Sequence, residues 1–289
     1  MVLGARAPGR VGHCQEAFLF GWASFPYAIQ AAYNCISMSS QPVYRLPPQY
    51  VYGVLSAILL GKKRSFRDDA RFVLTSTHLP IQILERENIP ARGPCVLLMN
   101  HYARPGYSPL WSALAIAALL PMESRWLMTS AWTSPNKIFD PFKRFFSGLL
   151  FKNVCKVYGF IPMPPMPPDP REVAERANAV RSLIILARQQ LPIAIGIAPE
   201  GRDFPGARLG CPPAGTGRLL EQLSKSISLL VPMGIYEENC RLVIHFSAPI
   251  SLQLSRKYDS NEEKDRHLSY QVMHSIARLL PQTLRGEYK

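Results

Sequence analysis

Two short apolar runs limit what this chain can fold into more than any other feature. One is Cys95–Met99 and the other is residues 192–197, and neither alternates polar with apolar side chains. A strand that is apolar on both faces is typical of a parallel sheet covered by helices, whereas a sheet with one face in water shows alternation. The two runs therefore predict buried central strands.

Strand-like and helix-like segments alternate along the rest of the chain. Residues 109–120 predict a helix with Ser108 as its cap and Pro109 at its first position. Further helices are predicted over residues 49–60, 142–151, 171–190, 217–223 and 262–280, and further strands over 81–86, 125–129, 155–161, 227–232 and 241–246. This order predicts an α/β fold, with a mostly parallel central sheet and helices on both faces.

Each of the two apolar runs ends in polar residues that can carry chemistry. Asn100 and His101 follow the first run, and Pro-Glu-Gly-Arg-Asp, residues 199–203, follows the second. In open α/β folds the loops at the carboxyl ends of the strands usually hold the functional site. Histidine titrates near neutral pH and suits general-base chemistry, so His101 is the leading candidate for a catalytic group.

These pieces, in this order, resemble the glycerolipid acyltransferase family, which includes the lysophosphatidic acid acyltransferases. Asn100-His101 is similar to the start of the family's Asn-His-x4-Asp block, and Pro199-Glu200-Gly201 to the core of its Phe-Pro-Glu-Gly-Thr-Arg block. Residues 159–161, Gly-Phe-Ile, partly match a Gly-x-x-Phe-Ile-x-Arg block, and residues 231–232 match a later Val-Pro strand. The resemblance extends over residues 71–250.

The resemblance implies acyl transfer in phospholipid biosynthesis, from an acyl thioester on coenzyme A or acyl carrier protein to the hydroxyl of a lysophospholipid. It implies no bound cofactor and no metal. His101 would be the base and Asn100 would shape its loop, while Glu200, Gly201 and Arg202 would position the acceptor.

The sequence departs from the family where a carboxylate should orient the histidine. In the family an aspartate lies five positions after the histidine, and here that position is Gly106. Three alternatives follow: another carboxylate takes the role, His101 works unassisted, or turnover is lost. The candidate carboxylates are Asp140, Glu200 and Asp203.

A second departure concerns the phosphate of the acceptor. The family's arginine after Phe-Ile is missing, because Pro162 and a run of prolines follow Ile161. We expect the phosphate to be bound instead by Arg202 or Arg208, with Arg104 as a further candidate, since a guanidinium can bind phosphate through two hydrogen bonds. Arg202 follows Gly201 directly, one position earlier than the family's arginine.

The charge balance, 33 basic against 20 acidic side chains, favours a partner that carries phosphate. An apolar segment over residues 49–60 leads into Lys62, Lys63 and Arg64, which suits a helix lying on an anionic membrane surface. The alternative is an ordinary helix packed on the domain. We expect a peripheral protein on the cytoplasmic face of a membrane.

Two other functions remain open from the sequence: a lipid-binding relative without turnover, and a basic nucleic-acid-binding domain. We expect no nucleic acid as a partner. The positive charge is the only feature that favours such binding, and the sequence shows no zinc finger, ribonucleoprotein motif or helix-turn-helix. The glycines at 210, 215 and 217 suggest a phosphate loop, but Thr216 stands where its lysine is needed. Six scattered cysteines predict reduced thiols rather than a disulfide framework or zinc site.

The sequence predicts three regions. Residues 1–37 are expected to be a disordered or mispredicted extension, with Met38 as the true start, and a signal peptide or membrane span is the alternative. Residues 38–70 are expected to form the membrane-surface helix and its basic segment. Residues 71–289 are expected to form the acyltransferase-like α/β domain.

Overall fold

The computed structural model describes residues 42–131, 140–253 and 258–289, with the backbone alone for residues 140–143. The described residues belong to one compact unit, Gln41–Lys289. The expectations for residues 1–37 and for Met38 as the start lie outside the described residues.

A seven-stranded sheet forms the centre of the unit. Its strands are Ile81–Leu84 (β1), Cys95–Met99 (β2), Ser124–Thr129 (β3), Ile161–Met163 (β4), Ala194–Ile197 (β5), Leu230–Glu238 (β6) and Arg241–Phe246 (β7). They lie in the order β1-β7-β6-β2-β5-β3-β4. Every neighbouring pair is parallel except β6 and β7, so five strands run one way and β1 and β7 run the other.

Helices flank this sheet, as the alternation in the sequence predicts. They are Pro48–Leu59 (α1), Phe66–Thr77 (α2), Pro109–Leu119 (α3), Asp140–Tyr158 (α4), Val173–Arg188 (α5), Thr216–Ser224 (α6) and Asn261–Ala277 (α7). Short 3-10 turns occur at Arg86–Asn88, Pro170–Glu172, Pro205–Ala207 and Gln282–Leu284. The predicted α/β fold with a mostly parallel sheet is confirmed.

Strand β2 lies at the middle of the sheet, between β5 and β6. All five of its side chains are buried, which explains why the sequence shows no polar alternation here. The chain then turns into α3, where Ser108 Oγ accepts the amide hydrogen of Leu110 and Pro109 begins the helix, as predicted.

The structure differs from the sequence predictions in two segments. Helix α2 has no counterpart among the predicted helices, and its apolar face buries Phe66 and Val73. Residues 155–161 were predicted as a strand but belong largely to α4, which continues to Tyr158. Gly159, with φ of +68°, then ends the helix in the left-handed region that glycine favours.

The proline-rich run over residues 162–170 is only partly exposed. Its first residues form β4, which lies at the edge of the sheet. An edge strand tolerates Pro162, because the missing amide hydrogen removes no hydrogen bond from the interior of the sheet. Pro164 and Pro165 are buried, and Arg176 donates to the carbonyl oxygen of Pro165 at 3.0 Å. The run is therefore held against the domain by its first half.

Candidate active site

The loops after β2 and β5 lie side by side because these two strands are parallel neighbours in the sheet. Asn100 and His101 follow β2, and the Pro-Glu-Gly loop follows β5. The strand order therefore places both loops at the same edge of the sheet.

Asp203 is the carboxylate that lies against His101. Its Oδ1 is 2.7 Å from Nδ1 of the imidazole, an ion-pair distance, although the angle at Nδ1 departs from that of a linear hydrogen bond. The imidazole lowers the pKa of the Asp203 carboxyl below its usual range. Of the three carboxylates proposed from the sequence, Asp203 is the one at Nδ1, Glu200 lies elsewhere on the same loop, and the side chain of Asp140 is outside the described residues.

The other ring nitrogen of His101 is free to accept a proton. Nδ1 faces Asp203, which favours the tautomer with the proton on Nδ1 and the lone pair on Nε2. Within the described part of the chain no hydrogen bond to Nε2 is present, and the His101 side chain keeps 24% of its exposure. The imidazole is therefore partly open to solvent.

Glu200 does not point its carboxylate toward solvent. The residue is 1% exposed; its Oε2 accepts the backbone N–H of His101 at 2.5 Å and its Oε1 accepts that of Gly210 at 2.8 Å. Burial raises the pKa of the Glu200 carboxyl, and the two amide bonds act in the opposite direction. The Glu200 side chain thus connects its own loop, which Glu200 begins and Gly210 ends, to the loop that carries His101.

Asn100 fixes the end of β2 to the neighbouring strand β6. Its Oδ1 accepts the backbone N–H of Ile235 at 2.7 Å, and its Nδ2 donates to the carbonyl oxygen of the same residue at 2.8 Å. The side chain is 2% exposed, so both bonds are shielded from water. Asn100 therefore ties the residue that precedes His101 to the backbone of β6.

Arg104 is held by an acidic residue that the sequence reasoning missed. Its guanidinium donates to both carboxylate oxygens of Glu237, which also accept from the hydroxyls of Tyr44 at 2.8 Å and Tyr102 at 3.1 Å. Burial raises the pKa of Glu237, but these bonds outweigh it and lower the pKa overall. Arg104 therefore holds the loop against β6, with three of its five N–H donors bonded to Glu237 and to the carbonyl oxygen of Pro105.

Gly106 lies in a tight turn that does not suit an aspartate. Its φ is +80°, and Tyr107 donates its amide hydrogen to the carbonyl oxygen of Arg104 at 3.0 Å across the turn. A residue with a side chain is strained at this φ. The carboxylate that lies against His101 is Asp203, from the second loop.

The remaining predicted binding residues lie on the β5 loop at the surface. Gly201 has φ of +66°, and Arg202 and Arg208 are exposed. The guanidinium of Arg202 lies over the ring of Phe204, 4.6 Å from its centroid. A Cβ on Gly210 would lie 2.2 Å from Phe204 Cε2, so the glycine lets this ring pack across the loop.

The glycine-rich segment before α6 is occupied by a carboxylate of the protein itself. Asp265 of α7 accepts the amide hydrogens of Gly215 at 2.6 Å and Arg218 at 2.8 Å. These are amides that a phosphate loop would offer to its ligand. In this segment the two amides are paired with a side chain of the protein itself.

The chain was compared with protein-family models, curated proteins and solved structures. No protein-family model matches the chain, and no curated protein matches it. Among solved structures, the chain is similar to the crystal structure of the 1-acyl-sn-glycerophosphate (LPA) acyltransferase PlsC from Thermotoga maritima, with 12% identity and a TM-score of 0.43. The similarity covers 80% of this chain and 89% of that one. A likeness at this level says nothing about activity or substrate.

Proposed function

We propose that this protein is an O-acyltransferase that moves a fatty acyl group from a thioester of coenzyme A or acyl carrier protein to the hydroxyl of a lysophospholipid. One observation carries the proposal: Asp203 lies 2.7 Å from Nδ1 of His101. A histidine with a carboxylate on one nitrogen and an open second nitrogen is the arrangement that general-base activation of an alcohol requires.

The reaction follows from this arrangement. Nε2 of His101 takes the proton of the acceptor hydroxyl as its oxygen attacks the thioester carbonyl carbon. The tetrahedral intermediate then collapses, the carbon–sulfur bond breaks, and the imidazolium returns its proton to the leaving thiolate. The Asp203 carboxylate keeps the imidazole in the required tautomer and stabilises the charge that it carries between these steps.

The acceptor phosphate is best served by the arginines of the β5 loop. Arg104 is paired with Glu237, and both oxygens of Glu200 are occupied by backbone amides, so neither is placed to contact substrate. Arg202 and Arg208 are exposed on the loop that carries Asp203. We assign them the acceptor's phosphate, with Gly201 allowing the loop to turn between Glu200 and Arg202.

Membrane attachment on the cytoplasmic face is a further part of the proposal. Helix α1 leaves Tyr52 72% and Leu59 85% exposed, and the exposed Lys62 and Lys63 follow it directly. Apolar side chains bordered by lysines suit the interface of an anionic bilayer. Among the described residues no helix is both long and apolar enough to cross a membrane.

Helix α4 also exposes apolar side chains. It packs against α1, and Lys63 Nζ donates to the carbonyl oxygen of Lys156 at 2.5 Å near the end of α4. Phe145 is 68% exposed and Leu149 58% exposed on this helix. Exposed aromatic and aliphatic side chains on two helices that pack together support the proposed contact with lipid.

Purified protein incubated with radiolabelled acyl thioester and a panel of lysophospholipids tests the reaction. Labelled diacyl product, with one free thiol released for each acyl group transferred, is the expected result. A mock purification from host cells without the gene gives the background. Transfer no greater than that background for every acceptor contradicts the proposal, and bound lipid in the native mass spectrum would then favour a lipid-binding relative without turnover.

A further inference from the structure

We infer that Glu200 is a positioning residue: its buried carboxylate holds together the His101 loop and the loop that carries Asp203, and so sets the distance between His101 and Asp203. The inference rests on the proposed function for its catalytic consequence. It replaces the expectation that Glu200 positions the acceptor directly.

The Glu200 carboxylate is turned into the protein and does not face a substrate. One oxygen accepts the amide hydrogen of His101 and the other that of Gly210, and the residue is 1% exposed. A buried carboxylate of this kind is stabilised by the amides that it binds, and removing either bond leaves a polar group unpaired.

Asp203 has few contacts that fix its side chain apart from the one with His101. Its side chain is 63% exposed, and within the described residues its ion-pair partner is His101. Asp203 lies inside the segment from Glu200 to Gly210, which the bond from the Gly210 amide to the Glu200 side chain closes into a loop. The position of Asp203 therefore depends on the bond that closes this loop. The second bond of Glu200, from the backbone amide of His101, fixes the closed loop against the His101 loop.

Glutamate is the residue type that can accept from the amides of both His101 and Gly210 at this position. Two backbone N–H groups need two acceptors, which a carboxylate supplies. A glutamine supplies one acceptor and presents an N–H₂ group to the second amide. An aspartate has two acceptors but is one methylene shorter, so it cannot span the two loops in their present places.

Kinetics of Glu200→Gln distinguish a positioning role from substrate binding. We expect kcat to fall about 100-fold, as displacement of a catalytic pair by about 1 Å can do, with KM for either substrate within about twofold of wild type. Glu221→Gln is the matched control, because Glu221 is also buried, at 7% exposure, and accepts from Lys264 on a surface helix. A Glu200→Gln enzyme with unchanged kcat and raised KM would show a substrate ligand and overturn the inference.

The pKa of Asp203 gives a readout that needs no turnover. His101 lowers the pKa of Asp203 in the native protein. If Glu200 sets their distance, the pKa of the Asp203 carboxyl in Glu200→Gln rises from its lowered value, because the imidazole no longer lies against it. Carbon NMR of labelled aspartate, assigned with Asp203→Asn, measures this. An Asp203 pKa equal to that of wild type and of Glu221→Gln overturns the inference. A rise in a protein that transfers no acyl group would leave the inference standing while the proposed function fails.

Amide hydrogen exchange of the wild type tests the same contact if Glu200→Gln does not fold. The amides of His101 and Gly210 both donate to one buried carboxylate, so both are expected to be protected, with similar protection factors relative to their intrinsic exchange rates. Exchange of either amide at the rate of exposed loop amides such as that of Arg202 contradicts the inference.

Discussion

Replacing Asp203 with asparagine tests how much the His101–Asp203 contact contributes to turnover. The substitution keeps the size of the side chain and removes its charge. Two unit charges 2.7 Å apart attract by ~1.5 kcal/mol at the dielectric constant of water and by ~6 kcal/mol at an effective value of about 20. Because the Asp203 side chain is 63% exposed, solvent screens the pair and the lower value applies more closely.

An energy of ~1.5 kcal/mol in the transition state corresponds to about a tenfold change in rate, and loss of the preferred tautomer adds to it. We therefore expect Asp203→Asn to lower kcat about 10- to 100-fold. This is less than the loss of about 10⁴-fold seen when a buried triad aspartate is changed in the same way. The assay is initial-rate transfer of radiolabelled acyl groups at saturating thioester and acceptor.

Asp68→Asn is the control for this prediction. Its side chain is 65% exposed and has Arg67 as a partner on α2, so the two substitutions remove the same charge at the same exposure. Asp68→Asn is expected to keep wild-type kcat. An Asp203→Asn enzyme as fast as the control would refute the reasoning, because the contact would then have no part in the reaction.

Three further predictions follow from the structure. Asn100→Ala leaves the buried amide and carbonyl of Ile235 unpaired, so the free energy of unfolding measured by urea denaturation should fall by about 2–5 kcal/mol; a loss below about 1 kcal/mol would contradict this. Gly106→Asp restores the family's aspartate but at a φ that disfavours it, so stability should fall by about 1 kcal/mol with no gain in kcat, whereas a faster enzyme would show that Asp203 does not fill the role. Lys62→Ala combined with Lys63→Ala should weaken binding to vesicles of anionic lipid about 30-fold and leave binding to neutral vesicles unchanged, at about 1 kcal/mol for each lysine, and equal binding by the double variant would argue against the membrane surface.

The central part of the fold could be predicted because its sequence signals are local. Strand β2 is apolar throughout, and α3 begins at Ser108-Pro109, so both elements lie close to where the sequence predicts them. The error at residues 155–161 arose because Val157 and Tyr158 favour strands in isolation, whereas packing inside the domain keeps them in α4. Tertiary contacts decided that segment against its local preference.

The candidate site could be predicted only in part, because its contacts join residues far apart in sequence. His101 was identified from its place after a strand, but the sequence left three carboxylates as its possible partner. Glu237 is 133 residues from Arg104, and its position at the end of a long strand is the one signal that could have suggested a role. The paired state of Arg104 and the buried state of Glu200 depend on how the loops pack, which spacing does not reveal.

The most direct measurement of the central claim is acyl transfer by His101→Ala beside the wild type, at saturating substrates and neutral pH. The account predicts that the wild type forms diacyl product and that the variant, with an unchanged thermal unfolding midpoint, loses nearly all of that rate. Equal transfer by the two proteins would contradict the account, because the reaction would then proceed without the imidazole on which the proposed chemistry depends.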